Sequence, residues 1–427
     1  METTEKKKFS GYAVFAGCLL LMIVPGGLLS YANSLFMYPI CTEFGFTITA
    51  YSFTNTVAAA VNALVSAFVV QYLSKGKRGQ MRILMLIFGV ITCVGFMLVS
   101  KCTQLWQFLV MTGVWNLGYN MLTYVPVGMM ISNWFVKKRA TMTGIAFAGG
   151  NLGGAIFSVV ISQMIEKQGW RFGFVACGLI CLVAVLLAIL LIKRSPAEYG
   201  QTALGAEEAA AAEAGSENPE GASNKVWEGV SKKTALKSAA FYMACAAAFL
   251  SGIYAAGVAN HLVTYLCVEN WEITVAASVM TVFTLVGVAG NSLGGALIGK
   301  LGLKKGIILG VLGLVISMLC LVFSGSVSWL AYVWAIFMGL ACYMSVLVPS
   351  LIVSETFGTK DYAGIYGIVY ALYLIGCAVS APLIAIIAEG ASYTTAWIVV
   401  CVVVVLLAFL EFRCLSYSKK FREENPA

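Results

Sequence analysis

The stretch Phe172-GFVACGLICLVAVLLAILL-Ile192 carries no charged residue and is bracketed by Arg171 before it and by Lys193 and Arg194 after it. Coiled as a helix at 1.5 Å per residue it reaches roughly 32 Å, enough to cross a hydrocarbon core of about 30 Å. A helix bonds its own backbone internally, so it is the form such a run takes where no water is present. Runs of the same kind recur along the chain, near 11–40, 50–74, 82–100, 105–133, 141–164, 238–267, 273–299, 305–324, 328–353, 362–387 and 394–415. The whole composition agrees: 60% of residues are hydrophobic and 11% charged, against roughly a quarter charged in a soluble domain. The first run follows Lys6, Lys7 and Lys8 and is too long for a signal peptide, so it reads as a retained span.

Charge fixes the orientation. With alternating spans, nearly all of the 27 lysines and arginines fall on one side, and only Lys101, Lys167 and Arg171 on the other. The positive-inside rule therefore places both termini in the cytoplasm and favours an even number of spans. A net charge of +8 distributed in this way points to topology and a lipid bilayer, not to nucleic acid. The longest interruption, Ser195 to about Lys237, is alanine-rich and polar and reads as a flexible cytoplasmic linker. It divides an N-terminal six-helix bundle (1–194) from a C-terminal one (238–427), with 195–237 between them.

The halves echo each other. Gly144-Ile145 is matched by Gly367-Ile368, Trp170 by Trp397, and the basic loop Lys75 to Arg82 by Lys300 to Lys305. Internal repeats of six are how many secondary transporters are built, with a solute site near the midplane between them. The expected fold is thus an all-α membrane protein of twelve transmembrane helices in two pseudo-symmetric six-helix bundles. The 13 cysteines stand singly, without C-x-x-C or histidine partners at ligand spacing, and read as apolar filler. No metal site and no cofactor is expected.

Two loops carry a resemblance. Gly295-Ala-Leu297-Ile-Gly299-Lys300-Leu-Gly302-Leu-Lys304-Lys305 looks like the G-x-L-x-D-R-x-G-R-R loop of the major facilitator superfamily, with Gly299 in place of the acid. Asn133-Trp134-Phe135-Val-Lys137-Lys138-Arg139-Ala140, running into Gly144-Ile-Ala146, resembles the basic loop and fifth helix of the monocarboxylate transporter and oxalate/formate antiporter branch. Phe357-Gly358-Thr-Lys360 followed by Gly364-Ile365-Tyr366-Gly367 is similar to that branch's entry into helix eleven. The resemblance implies the major facilitator fold, with helices one, four, seven and ten lining a central cavity and helices five and eight facing each other across the halves. It also implies a cation in helix eight for carboxylate substrates, with one added in helix eleven in the oxalate/formate antiporters, and neither expected helix carries an Arg or Lys here.

Candidate site residues come from the polar groups inside spans, since lipid offers them no partners. His261 is the single histidine and shares a helical face with Tyr254 and Tyr265; with an ordinary titration range near neutrality it is a candidate proton relay. Tyr31 lies in helix one beyond Pro25-Gly26-Gly27, where the missing proline N–H should loosen the helix. Asn116, Tyr119, Asn120 and Tyr124 fall in helix four, Tyr343 in helix ten, and Tyr370 and Tyr373 in helix eleven. Each is weighed against a purely structural role as a hydrogen bond between helices, worth roughly 0.6 kcal/mol. Gly149, Gly150, Gly153 and Gly154 in helix five and Gly290, Gly294 and Gly295 in helix eight read as close-packing surfaces that slide during rocking. The Lys-Ser/Thr of a phosphate loop does not follow them.

No zinc-protease helix, Walker motif or G-x-S-x-G turn occurs, so the chain does not read as an enzyme. No Asp or Glu is expected well inside a span, which leaves coupling through His261, uncoupled exchange, or entry of a weak acid together with its proton. The expected function is transport of a small organic solute by alternating access across the cell membrane by a monomer, with a monocarboxylate or related organic anion first. A neutral or amphipathic solute, drug-like efflux included, is the alternative, and a non-transporting sensor the reading from another class.

Overall fold

The computed structural model describes residues 10–75, 80–135, 139–205, 229–358 and 360–424. Among these, twelve helical runs follow one another: α1 (Gly11–Phe44), α2 (Ile48–Lys75), α3 (Gln80–Lys101), α4 (Leu105–Leu122 with Tyr124–Trp134), α5 (Arg139–Gln168), α6 (Trp170–Leu191), α7 (Ala239–Val268), α8 (Ile273–Leu301), α9 (Leu303–Phe323), α10 (Leu330–Leu340 with Tyr343–Phe357), α11 (Tyr362–Gly390) and α12 (Tyr393–Glu424). A helix lies at each predicted span, and among the described residues nine of them, or ten with the bent α10, are long and apolar enough to cross a membrane. The largest shift is in α12, which runs on to Glu424, well past the predicted end at 415.

Several helices are interrupted where the sequence cannot sustain them. In α1, residues Met22–Leu28 widen to π-helical bonding around Pro25, because the proline ring offers no N–H and crowds the preceding turn. Thr123 splits α4 with φ −110° and ψ −131°. In α10 the chain bends by 42° at its break between Leu340 and Tyr343. Single glycines at positive φ make the tight turns between α5 and α6 (Gly169, 83°) and between α8 and α9 (Gly302, 84°).

The packing repeats six helices on. The pair α1–α5 recurs as α7–α11, α2–α4 as α8–α10, α3–α4 as α9–α10, and α3–α6 as α9–α12. Between the bundles, α5 meets α8 and α2 meets α11, again related by a shift of six. Side chains that face away from this packing are apolar, as at Leu179, Val183, Leu186 and Leu190 on α6, a stripe suited to lipid.

The described ends of the interbundle segment are docked. Leu204 donates its N–H to the Trp134 carbonyl at 2.9 Å, and Val230 donates to the Phe357 carbonyl at 3.0 Å. Lys232 N–H is taken by the Asp361 carboxylate at 2.8 Å. The anchors are the corresponding loops of the two halves, α4–α5 and α10–α11.

Candidate functional site

The N-terminal wall of the site is built on the widened turn of α1. Beyond it, Ser30 and Tyr31 are turned toward α4 and α5. Ser30 Oγ and the Tyr119 hydroxyl lie 2.6 Å apart, and Tyr119 also donates to the Gly26 carbonyl at 3.4 Å. Tyr31 donates to Asn151 Oδ1 at 3.2 Å, its ring lying where a side chain on Gly154 would have to go. Tyr124 opens the second segment of α4, edge-on to Phe147 with centroids 5.2 Å apart, and is 44% exposed. Asn120 bonds the Asn62 side chain at 2.7 Å and so ties α4 to α2.

The facing wall comes from α11 and the break in α10. Tyr362, Tyr366, Tyr370 and Tyr373 form a ladder with successive centroids 5.4, 5.9 and 5.6 Å apart. Tyr370, 44% exposed, comes within electrostatic reach of Tyr124 across the bundles. Cys342, at the α10 bend, stands in the same relation to Tyr31. Tyr31, Tyr124, Cys342 and Tyr370 thus converge between the halves, backed by Ser30, Asn151 and Tyr373. None of these groups is a carboxylate or a cation. The cluster can offer hydroxyl and amide hydrogen bonds and aromatic faces to an organic molecule.

Other expected site residues are committed elsewhere. Asn116, 1% exposed, donates to the Thr112 carbonyl of its own helix at 2.8 Å. Tyr343 donates to the Gly306 carbonyl at 2.8 Å and ties α10 to α9. Tyr265 sits 2.9 Å from Ser324 Oγ. His261 is fully buried, with Nε2 2.8 Å from the Ala381 carbonyl and Nδ1 3.2 Å from the Tyr393 hydroxyl. A neutral ring that donates through Nε2 and accepts at Nδ1 satisfies both partners.

The glycine segments correct the expectation of a sliding surface. Gly153 abuts the Ile23 carbonyl and Gly27 of α1, and Gly149 and Gly150 abut Leu19 and Met22. Gly290 abuts Gly339, Gly294 the Tyr343 ring, and Gly295 faces Leu347, all on α10. The glycines therefore close each bundle internally, while α5 and α8 meet through other residues, among them Thr281, which donates to the Ala155 carbonyl at 3.1 Å. Of the basic loop residues, Lys138 lies outside the described residues and Arg139 begins α5; Lys300, Lys304 and Lys305 are exposed around the Gly302 turn.

Two further hydrogen bonds join the bundles, and both lie toward the outer side. Thr49 N–H, at the start of α2, is accepted by Glu389 Oε1 at 3.0 Å, and Thr56 donates to the Ala378 carbonyl at 2.7 Å. At the same rim Arg171 pairs with Glu43.

One expectation fails outright: an acid does lie inside a span. Glu411 in α12 is 1% exposed, and its Oε2 has no hydrogen-bond partner. It falls within the expected span 394–415, four residues from its end. Asn151 was also missed as a site residue; a lone amide inside a glycine run was the available signal.

The comparisons with known proteins fall together. The family model of the Major Facilitator Superfamily matches residues 19–271 and 267–426. An uncharacterized MFS-type transporter, YhjX of Escherichia coli (strain K12), is 24% identical over 290 residues, 67% of each chain. The MFS-type transporter pynF of Aspergillus niger is 30% identical over 27% of this chain and 26% of its own. The fujikurins efflux protein of Gibberella fujikuroi is 31% identical over 23% and 21%. The matched stretch thus spans about a quarter of the length of pynF and about a fifth of the fujikurins protein. Among solved structures, a bacterial homolog of the human lysosomal transporter Spinster, inward-facing and occupied, superposes with a TM-score of 0.72 at 14% identity over 98% of both chains. The nucleoside transporter NupG gives 0.69 at 12% identity over 96% of this chain and 99% of that one.

Proposed function

The chain belongs to the major facilitator superfamily, and from that premise we propose that it carries a small organic acid of the monocarboxylate class across the cell membrane by alternating access. The observation that carries the reading is the convergence of Tyr31, Tyr124 and Tyr370 between the bundles, backed by Asn151 at 3.2 Å from the Tyr31 hydroxyl. Tyrosine hydroxyls and an amide recognise a carboxyl group by hydrogen bonding, and the rings cover a short apolar chain.

A rocking cycle needs two rigid bodies with a soluble path between them. The glycine-closed bundles supply the bodies. The bonds Thr49–Glu389 and Thr56–Ala378 lie on the outer side, so breaking them is the step that would admit solute from outside. Such a machine is a carrier and does no covalent chemistry.

A second reading is export of a neutral or amphipathic solute. It is favoured by the absence of charge from the converging residues, and relatives such as the fujikurins efflux protein are named for export.

Counterflow in proteoliposomes separates these readings. Vesicles preloaded with lactate, pyruvate or formate should accelerate entry of the labelled counterpart. Flux of neutral amphipathic solutes without any monocarboxylate counterflow would establish the second reading instead, and saturable binding without flux would mark a sensor.

A further inference from the structure

Polar groups buried inside a bundle ordinarily find partners, because an unpaired one forfeits its hydration. Glu411 departs from this. It lies about 27 Å along α12 from Tyr393 and about 10 Å from Ser418 at the other end of the span, taking 1.5 Å per residue. Glu411 forms part of the wall of a small cavity of ≈ 10 Å³, the size of about one water. The rest of that wall is Ala244, Ala247 and Ala248 of α7, Pro349 and Ile352 of α10, and Cys414. Among the described residues no cation pairs with it, and Oε2 is unbonded.

The titratable groups that reach it are Tyr254 from α7, Tyr343 from α10 and Cys414 from its own helix. Cys245 of α7 stands behind Cys414. Lys304 and Lys305 of α9 are exposed on that helix's first turn, and Arg413 is turned to the outside. The α11 ladder approaches through Tyr373, which is in electrostatic reach of Tyr254. Tyr254 is itself fully buried. Its hydroxyl, like Glu411 Oε2, is a buried polar atom without a hydrogen-bond partner.

We propose that Glu411 is a proton-binding site that couples solute movement to a proton. Its surroundings accept the neutral acid and resist the bare carboxylate, since an unpaired charge there costs several kcal/mol. A proton from water that reaches this cavity adds to the Glu411 carboxylate. It leaves when the bundle's rearrangement brings water or a cation to the carboxyl. The segment of α10 beyond its break, from which Pro349 and Ile352 wall the cavity, is the element whose motion opens it. The coupling part of this inference rests on the transport reading above, and the proton site does not.

Infrared spectra of the protein in phosphatidylcholine and phosphatidylglycerol vesicles test the site without any solute. At about pH 7 exposed glutamates are ionised, so a protonated-carboxyl band present in the wild type, shifted in heavy water, kept in Glu411→Asp and absent from Glu411→Gln identifies it. The band must fade reversibly as the pH is raised above neutrality. Its absence at neutral pH, or its persistence unchanged throughout, overturns the proposal, and wild-type spectra alone decide this if a variant fails to fold. In the transport arm, an inward acid gradient of one unit drives about tenfold accumulation in a one-proton symporter. Glu411→Gln should lose that accumulation of labelled lactate or pyruvate while keeping counterflow. Equal accumulation in both proteins overturns the coupling, whereas no monocarboxylate flux in either overturns the transport reading and leaves the spectroscopic result standing.

Discussion

Gly27 of α1 and Gly153 of α5 stand backbone to backbone: a Cβ on Gly27 would meet the Gly153 Cα and the Gly150 carbonyl, and one on Gly153 would strike the Ile23 carbonyl. Gly252 and Gly376 make the same approach between α7 and α11, where their missing side chains face the Tyr373 and Phe249 carbonyls. Without side chains there, dispersion contacts run along both helix faces, the main attraction available between helices in lipid.

Replacing Gly153 by Leu should therefore destabilise the N-terminal bundle by about 1–3 kcal/mol or more, the usual cost of overpacking, and slow turnover. On the same helix, a Cβ added at Gly144 would have nothing within 4 Å of it, so Gly144→Ala is the control. Thermal unfolding in detergent checks this, and equal midpoints for Gly153→Leu and the control would contradict it.

Tyr31→Phe removes the hydroxyl that bonds Asn151 and keeps the ring on Gly154. Stability should change by about 1 kcal/mol or less, while counterflow falls severalfold. Asn116→Ala, whose amide bonds Thr112 of its own helix, should lower stability and leave the apparent substrate affinity unchanged. If Tyr31→Phe transports normally, that hydroxyl does not contact the solute.

His261→Ala strips two bonds from a fully buried position and leaves the Ala381 carbonyl and the Tyr393 hydroxyl without their partner. A loss of about 2–4 kcal/mol is expected, visible as a lower melting temperature. The pH profile of transport should keep its shape. A shifted profile in a variant that still folds would return the proton-relay role to this histidine.

Glu389 places a carboxylate at the N-terminus of α2, where the helix dipole favours negative charge by about 0.3–1 kcal/mol. Glu389→Gln should weaken this tie and raise the labelling rate of buried Cys41 by an impermeant maleimide roughly two- to fivefold. Cys41 lies within electrostatic reach of Glu389, so it reports opening at that rim. An unchanged rate would show that the tie does not hold the outer side shut.

Run length, charge asymmetry and repeat were sufficient for the fold, because lipid imposes a length and a sign rule on every span. Pro25 announced the loosened turn in α1. The site was only partly legible. Tyr31, Tyr124 and Tyr370 were visible as polar groups inside spans, yet Asn116, picked out in the same way, bonds its own helix. Which face of a helix meets the cavity depends on the rotation set by tertiary packing, and a local polar spacing carries no information on that rotation. The glycine runs misled for the same reason: the spacing of Gly149 to Gly154 marks a close partner without saying that the partner is α1. Glu411 was passed over four residues from the expected end of its span, since a helix continuing into charged sequence gives no apolar signal past Leu415.

The docking of Leu204 on Trp134 and of Val230 on Phe357 has a mechanical meaning. These anchor points sit just ahead of α5 and α11, the two helices whose glycines interlock with α1 and α7, so they act as handles on the two levers of the molecule. Tension applied to the segment between them, by anything that grips it in the cytoplasm, would be delivered to both levers at once.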